Sequence, residues 1–210
     1  MIFKKALILA PHTDDGELAC GASIHKMLED GTQVYYVAFS TCRDSLPDHM
    51  AQDTLEIEVR NALRILGMPE ANLILCNFQV RDFPNQRQEI LQKMVNLKNK
   101  IEPDVVFMPS SVDIHQDHQV IHNEGLRAFK SSTLLGYEMP WNNINFTASA
   151  FIKVNSLNLE VKLAALKEYK SQQNRTYLNK EFINGLAKVR GVQAGSDYAE
   201  AFEAIRIVID

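Results

Sequence analysis

The stretch from Ala6 to Gly21, ALILAPHTDDGELACG, constrains this chain more than any other. Ala6-Leu7-Ile8-Leu9-Ala10 is a short apolar run rich in strand formers, and Pro11 ends it. His12, Thr13, Asp14 and Asp15 follow at once. A helical pattern then begins, with Leu18, Ile24 and Leu28 at apolar positions and Gly31 as its stop. A strand without polar alternation is one that expects cover on both faces. Here it delivers a histidine and two carboxylates to the mouth of a helix.

The same alternation continues along the chain. Strands are predicted at 33–40, 72–76, 104–108, 133–137, 148–154 and 204–208, and helices at 51–66, 86–101, 119–130, 157–169 and 181–189. The segment 77–84 is irregular and carries Arg81 and Asp82. This pattern predicts an α/β fold, a Rossmann-like and mostly parallel sheet with helices on both faces, in a single domain over residues 1–210. The fold class further predicts a local strand order 3-2-1-4. That order sets the first strand beside the fourth, with a crevice at their carboxyl ends where open α/β sheets bind ligands.

Composition narrows the function classes. A net charge of -4 without a Lys/Arg run gives no electrostatic reason to expect a nucleic-acid partner. Lys4-Lys5 precedes an apolar run too short for a signal peptide, and nothing approaches the ~20 apolar residues of a membrane span. Cys20, Cys42 and Cys76 are far apart and odd in number, which favours reduced thiols and a cytoplasmic location.

The fourth strand runs into a second polar cluster, Asp113-Ile114-His115-Gln116-Asp117-His118. The two clusters together offer His12, Asp14, Asp15, Asp113, His115, Asp117 and His118. Two imidazoles and one carboxylate make a common zinc or iron(II) set with a position left open for water. A spare carboxylate and a spare histidine could then act as general base and acid in amide or ester hydrolysis. The bland alternative is that Asp-Asp and Asp117 cap helices and the histidines are turn residues. On residue types alone both readings stand, and spacing does not say whether Asp14 or Asp15 would be the ligand.

Residues 11–22, PHTDDGELACGA, resemble the P/A-H-P-D-D-E-x-L-x-x-G-G signature of the LmbE-like, or PIG-L, metal-dependent N-deacetylases. DIHQDH at 113–118 resembles that family's second motif, H-x-D-H. Lys170-Ser171-Gln172, Arg190-Gly191 and Tyr198–Phe202 also look like family positions. The resemblance implies His12, Asp15 and His118 as ligands of a zinc or iron(II) ion, with Asp14 as general base. It implies that His115 stabilises the tetrahedral intermediate or protonates the amine, and leaves Asp113 and Asp117 as groups that orient the ligand imidazoles. The implied substrate is an N-acetylated amino sugar or its conjugate. Family members often assemble, so a homo-oligomer is open, although nothing in the sequence reads as an interface.

The chain departs from the family pattern at Thr13 for Pro, at Gly16 for the usual Glu (with Glu17 one place later), and at Ala22 for the second Gly. For substrate contacts Arg43, after the second strand, comes first. Arg81, Tyr137, Glu138, Trp141 and Asn142 are weaker candidates, and Arg190 reads equally well as a structural ion pair. Three rival readings remain. A Rossmann nucleotide binder is disfavoured because the first loop lacks G-x-G-x-x-G and its carboxylates would repel a pyrophosphate. A metal-dependent esterase or amidase would use the same ligands, and a non-catalytic metal-binding domain would keep them.

Overall fold

A computed structural model describes residues 3–47 and 49–209. Seven strands form one sheet in the order β3-β2-β1-β4-β5-β7-β6. They are β1 (Lys5–Ala10), β2 (Gln33–Ala38), β3 (Leu73–Leu75), β4 (Val105–Pro109), β5 (Thr133–Tyr137), β6 (Ala150–Val154) and β7 (Tyr198–Arg206). The first five pair in parallel, so the expected 3-2-1-4 order is present and β1 lies between β2 and β4. β7 runs antiparallel to both β5 and β6 and is inserted between them.

Six α-helices connect the strands: α1 (Asp15–Glu29), α2 (Thr54–Ile65), α3 (Arg87–Ile101), α4 (Gln116–Ala128), α5 (Ser156–Leu166) and α6 (Lys180–Ala194). The β1 run explains the layering. Ala6, Ile8 and Ala10 pack with Ile24 of α1, Val59 of α2 and Leu166 of α5, while Leu7 and Leu9 pack with Met94 of α3 and Ile121 of α4. Every one of those β1 side chains is fully buried, as a strand with two covered faces requires.

Two elements differ from the sequence reading. The last strand starts at Tyr198 rather than 204, because YAEAFEAIR mixes Ala and Glu and has weak strand propensity until Ile205. Its place in the sheet comes from pairing on both sides. Helix α1 is broken inside its span at Cys20, where φ is -138° and ψ 27°. The break frees backbone N–H groups, and the Glu200 carboxylate of β7 accepts from Ala22 N at 3.3 Å and Ser23 N at 2.7 Å. Glu200 is paired in turn with buried Lys162 of α5 at 2.6 Å. An anion thus sits at the start of a half-helix, where the dipole favours it.

Candidate active site

The carboxyl ends of β1 and β4 are adjacent, so the loops leaving them meet. His12 follows β1, Asp15 opens α1, and Asp113, His115, Asp117 and His118 come from the β4–α4 loop and the first turn of α4. His12 Nδ1 lies 3.2 Å from Asp15 Oδ2, His118 Nε2 lies 3.3 Å from the same oxygen, and the two ring nitrogens are 3.4 Å apart. Four-coordinate zinc with donors at ~2.0–2.1 Å separates them by about 3.3–3.4 Å. The three atoms therefore have the mutual spacing of one face of such a coordination shell.

The far nitrogens of both rings are engaged. His12 Nε2 meets Asp117 Oδ2 at 3.0 Å, and His118 Nδ1 meets Asp113 Oδ2 at 2.8 Å. In the neutral form of each ring, a carboxylate that accepts an N–H leaves the lone pair on the nitrogen that faces Asp15. Residues of these types in these tautomers fit a zinc or iron(II) ion. His115 also presents a nitrogen in this group: ligand atoms of His12, His115 and His118 all lie within 4.8 Å of one another.

Helix capping does not explain the clusters. Asp14 stands at the N-cap of α1, yet its side chain caps nothing. Asp15 instead uses Oδ2 to accept from the His12 backbone N–H at 2.8 Å. At α4 the cap is His115, whose Nδ1 accepts from Asp117 N–H at 3.2 Å. This places the His115 ring proton on Nε2.

Charges in the group are strongly coupled. Burial raises Asp14, and the neighbouring Asp15 charge raises it further, to about 6. Burial works in the same direction on Asp15, but the His118 and His12 rings beside it hold its pKa well below the usual carboxylate range. Burial lowers His12 and His118, but Asp15 and the carboxylates behind the rings reverse this, to about 9 and about 10. Burial, together with the charges of His118 and His12, lowers His115.

The residues peculiar to this chain lie directly beneath the first loop. A Cβ on Gly16 would fall 2.4 Å from a ring carbon of Tyr36, so the Tyr36 side chain fills the space a side chain at 16 would need. Glu17 is fully buried under the loop, with its pKa pushed by burial up to about 8. It meets the hydroxyls of Tyr36 and Tyr169, the latter at 2.7 Å. Both hydroxyls also reach the Thr13 carbonyl, at 2.9 and 2.8 Å. This clamp fixes the turn that Thr13 would otherwise loosen.

A cavity of about 360 Å³ opens over these groups. Its lining includes Asp14, His115, Arg81, Trp141 and Asn142 among the anticipated residues. It also includes Gln172, one of the family-like positions, and Arg175 and Tyr177, which were not anticipated; all three come from the irregular segment between α5 and α6. Trp141 stacks on Tyr177 with centroids 3.8 Å apart and rings 9° from parallel, so one Trp141 face is already covered.

The remaining contact candidates lie elsewhere. Tyr137 is fully buried and donates its hydroxyl to Leu9 O at 3.0 Å, because it is a β5 residue on the core face. Arg43 lines a neighbouring cleft with Gln79 and pairs with Glu56 at 3.3 Å. Glu138 and Arg190 form an ion pair with each other that ties α6 to the loop after β5.

The sequence pattern of the family described as PIG-L, GlcNAc-PI de-N-acetylase, matches residues 7–129, which contain both clusters. The chain belongs to the PIG-L, or LmbE-like, de-N-acetylase family. A curated relative, the Escherichia coli K12 protein described as an uncharacterized deacetylase, YaiS, is 32% identical over 174 residues, covering 80% of this chain and 91% of its own. Diacetylchitobiose deacetylase of Thermococcus kodakarensis is 26% identical over 227 residues, covering 96% and 83%. Among solved structures, GalB of Pseudomonas putida, a 4-carboxy-2-hydroxymuconate hydratase, superposes with a TM-score of 0.79 at 20% identity, covering 99% and 98%. The PIG-L fold is thus shared with a hydratase, and the fold alone does not name the reaction. No helix among the described residues is long and apolar enough to cross a membrane.

Proposed function

We propose that this PIG-L family member is a metal-dependent hydrolase that removes the acetyl group from an N-acetylated amino sugar or sugar conjugate. The observation that carries the reading is the triangle of His12 Nδ1, Asp15 Oδ2 and His118 Nε2, with edges of 3.2 to 3.4 Å, beside an Asp14 that caps nothing. A zinc or iron(II) ion held by these three residues would supply a Lewis acid for the acetamide carbonyl and would acidify water at neutral pH.

The protein's own groups account for the proton transfers. Asp14, with a pKa raised to about 6, is poised to take a proton from the attacking water as it adds to the acetamide carbon. His115 keeps its proton on Nε2 and is the donor for the oxyanion of the tetrahedral intermediate. Collapse of that intermediate returns the proton from Asp14 to the nitrogen, and amine and acetate leave. Asp113 and Asp117 keep the two ligand imidazoles in the required tautomers.

The test is metal content of the purified protein together with acetate release from N-acetylglucosamine and N,N'-diacetylchitobiose. The expected result is close to one equivalent of metal in the wild type, a large loss in His118→Ala, and acetate release that Asp14→Asn abolishes. A protein that holds no metal even after reloading, and releases no acetate, would overturn the proposal.

A further inference from the structure

Asp14 differs from its neighbours in how it is held. Asp113 fixes the His118 ring, Asp117 fixes the His12 ring, and Asp15 accepts from the His12 backbone N–H. The Asp14 carboxylate has no such partner: it caps nothing, and no other side chain among the described residues hydrogen-bonds to it. Its aim is therefore set by its own main chain.

That main chain is held on both sides. Asp14 O accepts from Leu18 N at 3.0 Å, the first bond of α1. The peptide that joins Thr13 to Asp14 is fixed through the Thr13 carbonyl, which accepts from the Tyr36 hydroxyl at 2.9 Å and from the Tyr169 hydroxyl at 2.8 Å. A carbonyl oxygen has two lone pairs, and here both are taken, so the peptide plane has no free rotation. Tyr36 does more. Its hydroxyl also accepts from Gly16 N at 3.1 Å, so one oxygen brackets Asp14 and Asp15 from both ends. Glu17 spans the two hydroxyls, and Glu17, Tyr36 and Tyr169 are all fully buried. None of the three is among the residues that line the cavity, so substrate contact does not account for them.

We propose that Tyr36 and Tyr169 are positioning residues for the general base: acting through the Thr13–Asp14 peptide, they hold the Asp14 carboxylate where it can take a proton from the attacking water. This deepens the deacetylase reading and rests on it. Proton transfer requires the base within hydrogen-bond reach of the water, and a displacement of about 1 Å can cost ~10²-fold in rate. The two rings come from β2 and from the turn after α5, so elements far apart in the chain converge on one peptide unit.

The experiment compares Tyr36→Phe and Tyr169→Phe with Tyr137→Phe, measuring acetate release from N,N'-diacetylchitobiose per metal-bound protein. Tyr137 is the matched control, since its fully buried hydroxyl also donates to a carbonyl, that of Leu9, at 3.0 Å. In Tyr36→Phe and Tyr169→Phe kcat is expected to fall about 10- to 100-fold, with KM and bound metal unchanged, while Tyr137→Phe keeps the wild-type kcat. In an Asp14→Glu background, where the carboxylate is already displaced, adding Tyr169→Phe lowers kcat by less than about twofold. Hydrogen exchange gives a readout apart from turnover: the Asp14–Gly16 amides exchange faster in the two clamp variants and not in Tyr137→Phe. Each variant is read separately below its own melting temperature, so a folding defect in one leaves the other decisive. A full kcat in both variants, a loss that appears in KM or in metal content, or an equal loss in the Asp14→Glu background would overturn the proposal. Wild-type acetate release with full kcat in both variants leaves the deacetylase standing and removes the positioning role. A metal-loaded wild type that releases no acetate removes the deacetylase, and this role with it.

Discussion

Asp14 and Asp15 carry the same side chain at adjacent positions, yet the fold gives them opposite chemistry. Asp15 is squeezed between two imidazoles and stays ionised, while Asp14 is half-buried beside that charge and is pushed toward neutrality. Asp14→Asn is expected to cut acetate release by ~10²–10⁴-fold with metal content unchanged, whereas Asp15→Asn loses the metal. Assaying both variants for bound metal distinguishes the roles. Asp117→Asn weakens the hold on the His12 ring and should reduce metal affinity by ~10–100-fold, read by competition with a chelator dye. At this scale the residue types in both clusters were legible, because histidines and carboxylates after two strands are hard to place otherwise. Spacing did not say which of Asp14 and Asp15 faces the rings, and the assignment of Asp15 as ligand and Asp14 as base came from the family resemblance alone. Tyr137 was misread because a core tyrosine and a site tyrosine look alike until the strand face is known. Arg175 and Tyr177 lie in a segment without periodicity and gave no signal at all.

Among the elements, α1 shows most clearly how sequence and tertiary context divide the work. Its start is announced by Pro11 and the Asp pair, but the break at Cys20 is not. That break is held open by Glu200, which is 178 residues away from Ala22 and could not be found by local pattern. Removing the carboxylate with Glu200→Ala leaves Lys162 buried without its partner and two N–H groups unmet. The expected loss is about 3–5 kcal/mol of stability, measured by urea unfolding. Gly16→Ala should destabilise by about 1–3 kcal/mol, because Tyr36 is fully buried and has no room to yield to the new methyl group. A thermal melt of that variant checks the claim.

The whole molecule was legible as far as strand–helix alternation reaches. That covers β1 to β5, where each crossover places the next parallel strand under strong handedness rules. The antiparallel part, in which β7 enters between β5 and β6, rests on pairing partners that no single segment specifies. The two apolar layers on either side of the sheet are built from side chains other than the metal candidates. Chelation is therefore expected to abolish acetate release while leaving the circular-dichroism spectrum of a folded protein. Restoring metal at a hundredfold excess over its Kd should add about 2.7 kcal/mol of stability.

The hydroxyl of Tyr169 on the Thr13 carbonyl ties the first candidate-site loop to a residue 156 positions later. A nascent chain that has emerged as far as α4 already holds every candidate ligand and the residues proposed as general base and oxyanion donor. It still lacks Tyr169 beneath the loop, Glu200 at the broken helix and the Arg175–Tyr177 wall of the cavity. Synthesis therefore delivers the candidate site residues first and the parts that fix them later, and the site is complete only once β7 has entered the sheet.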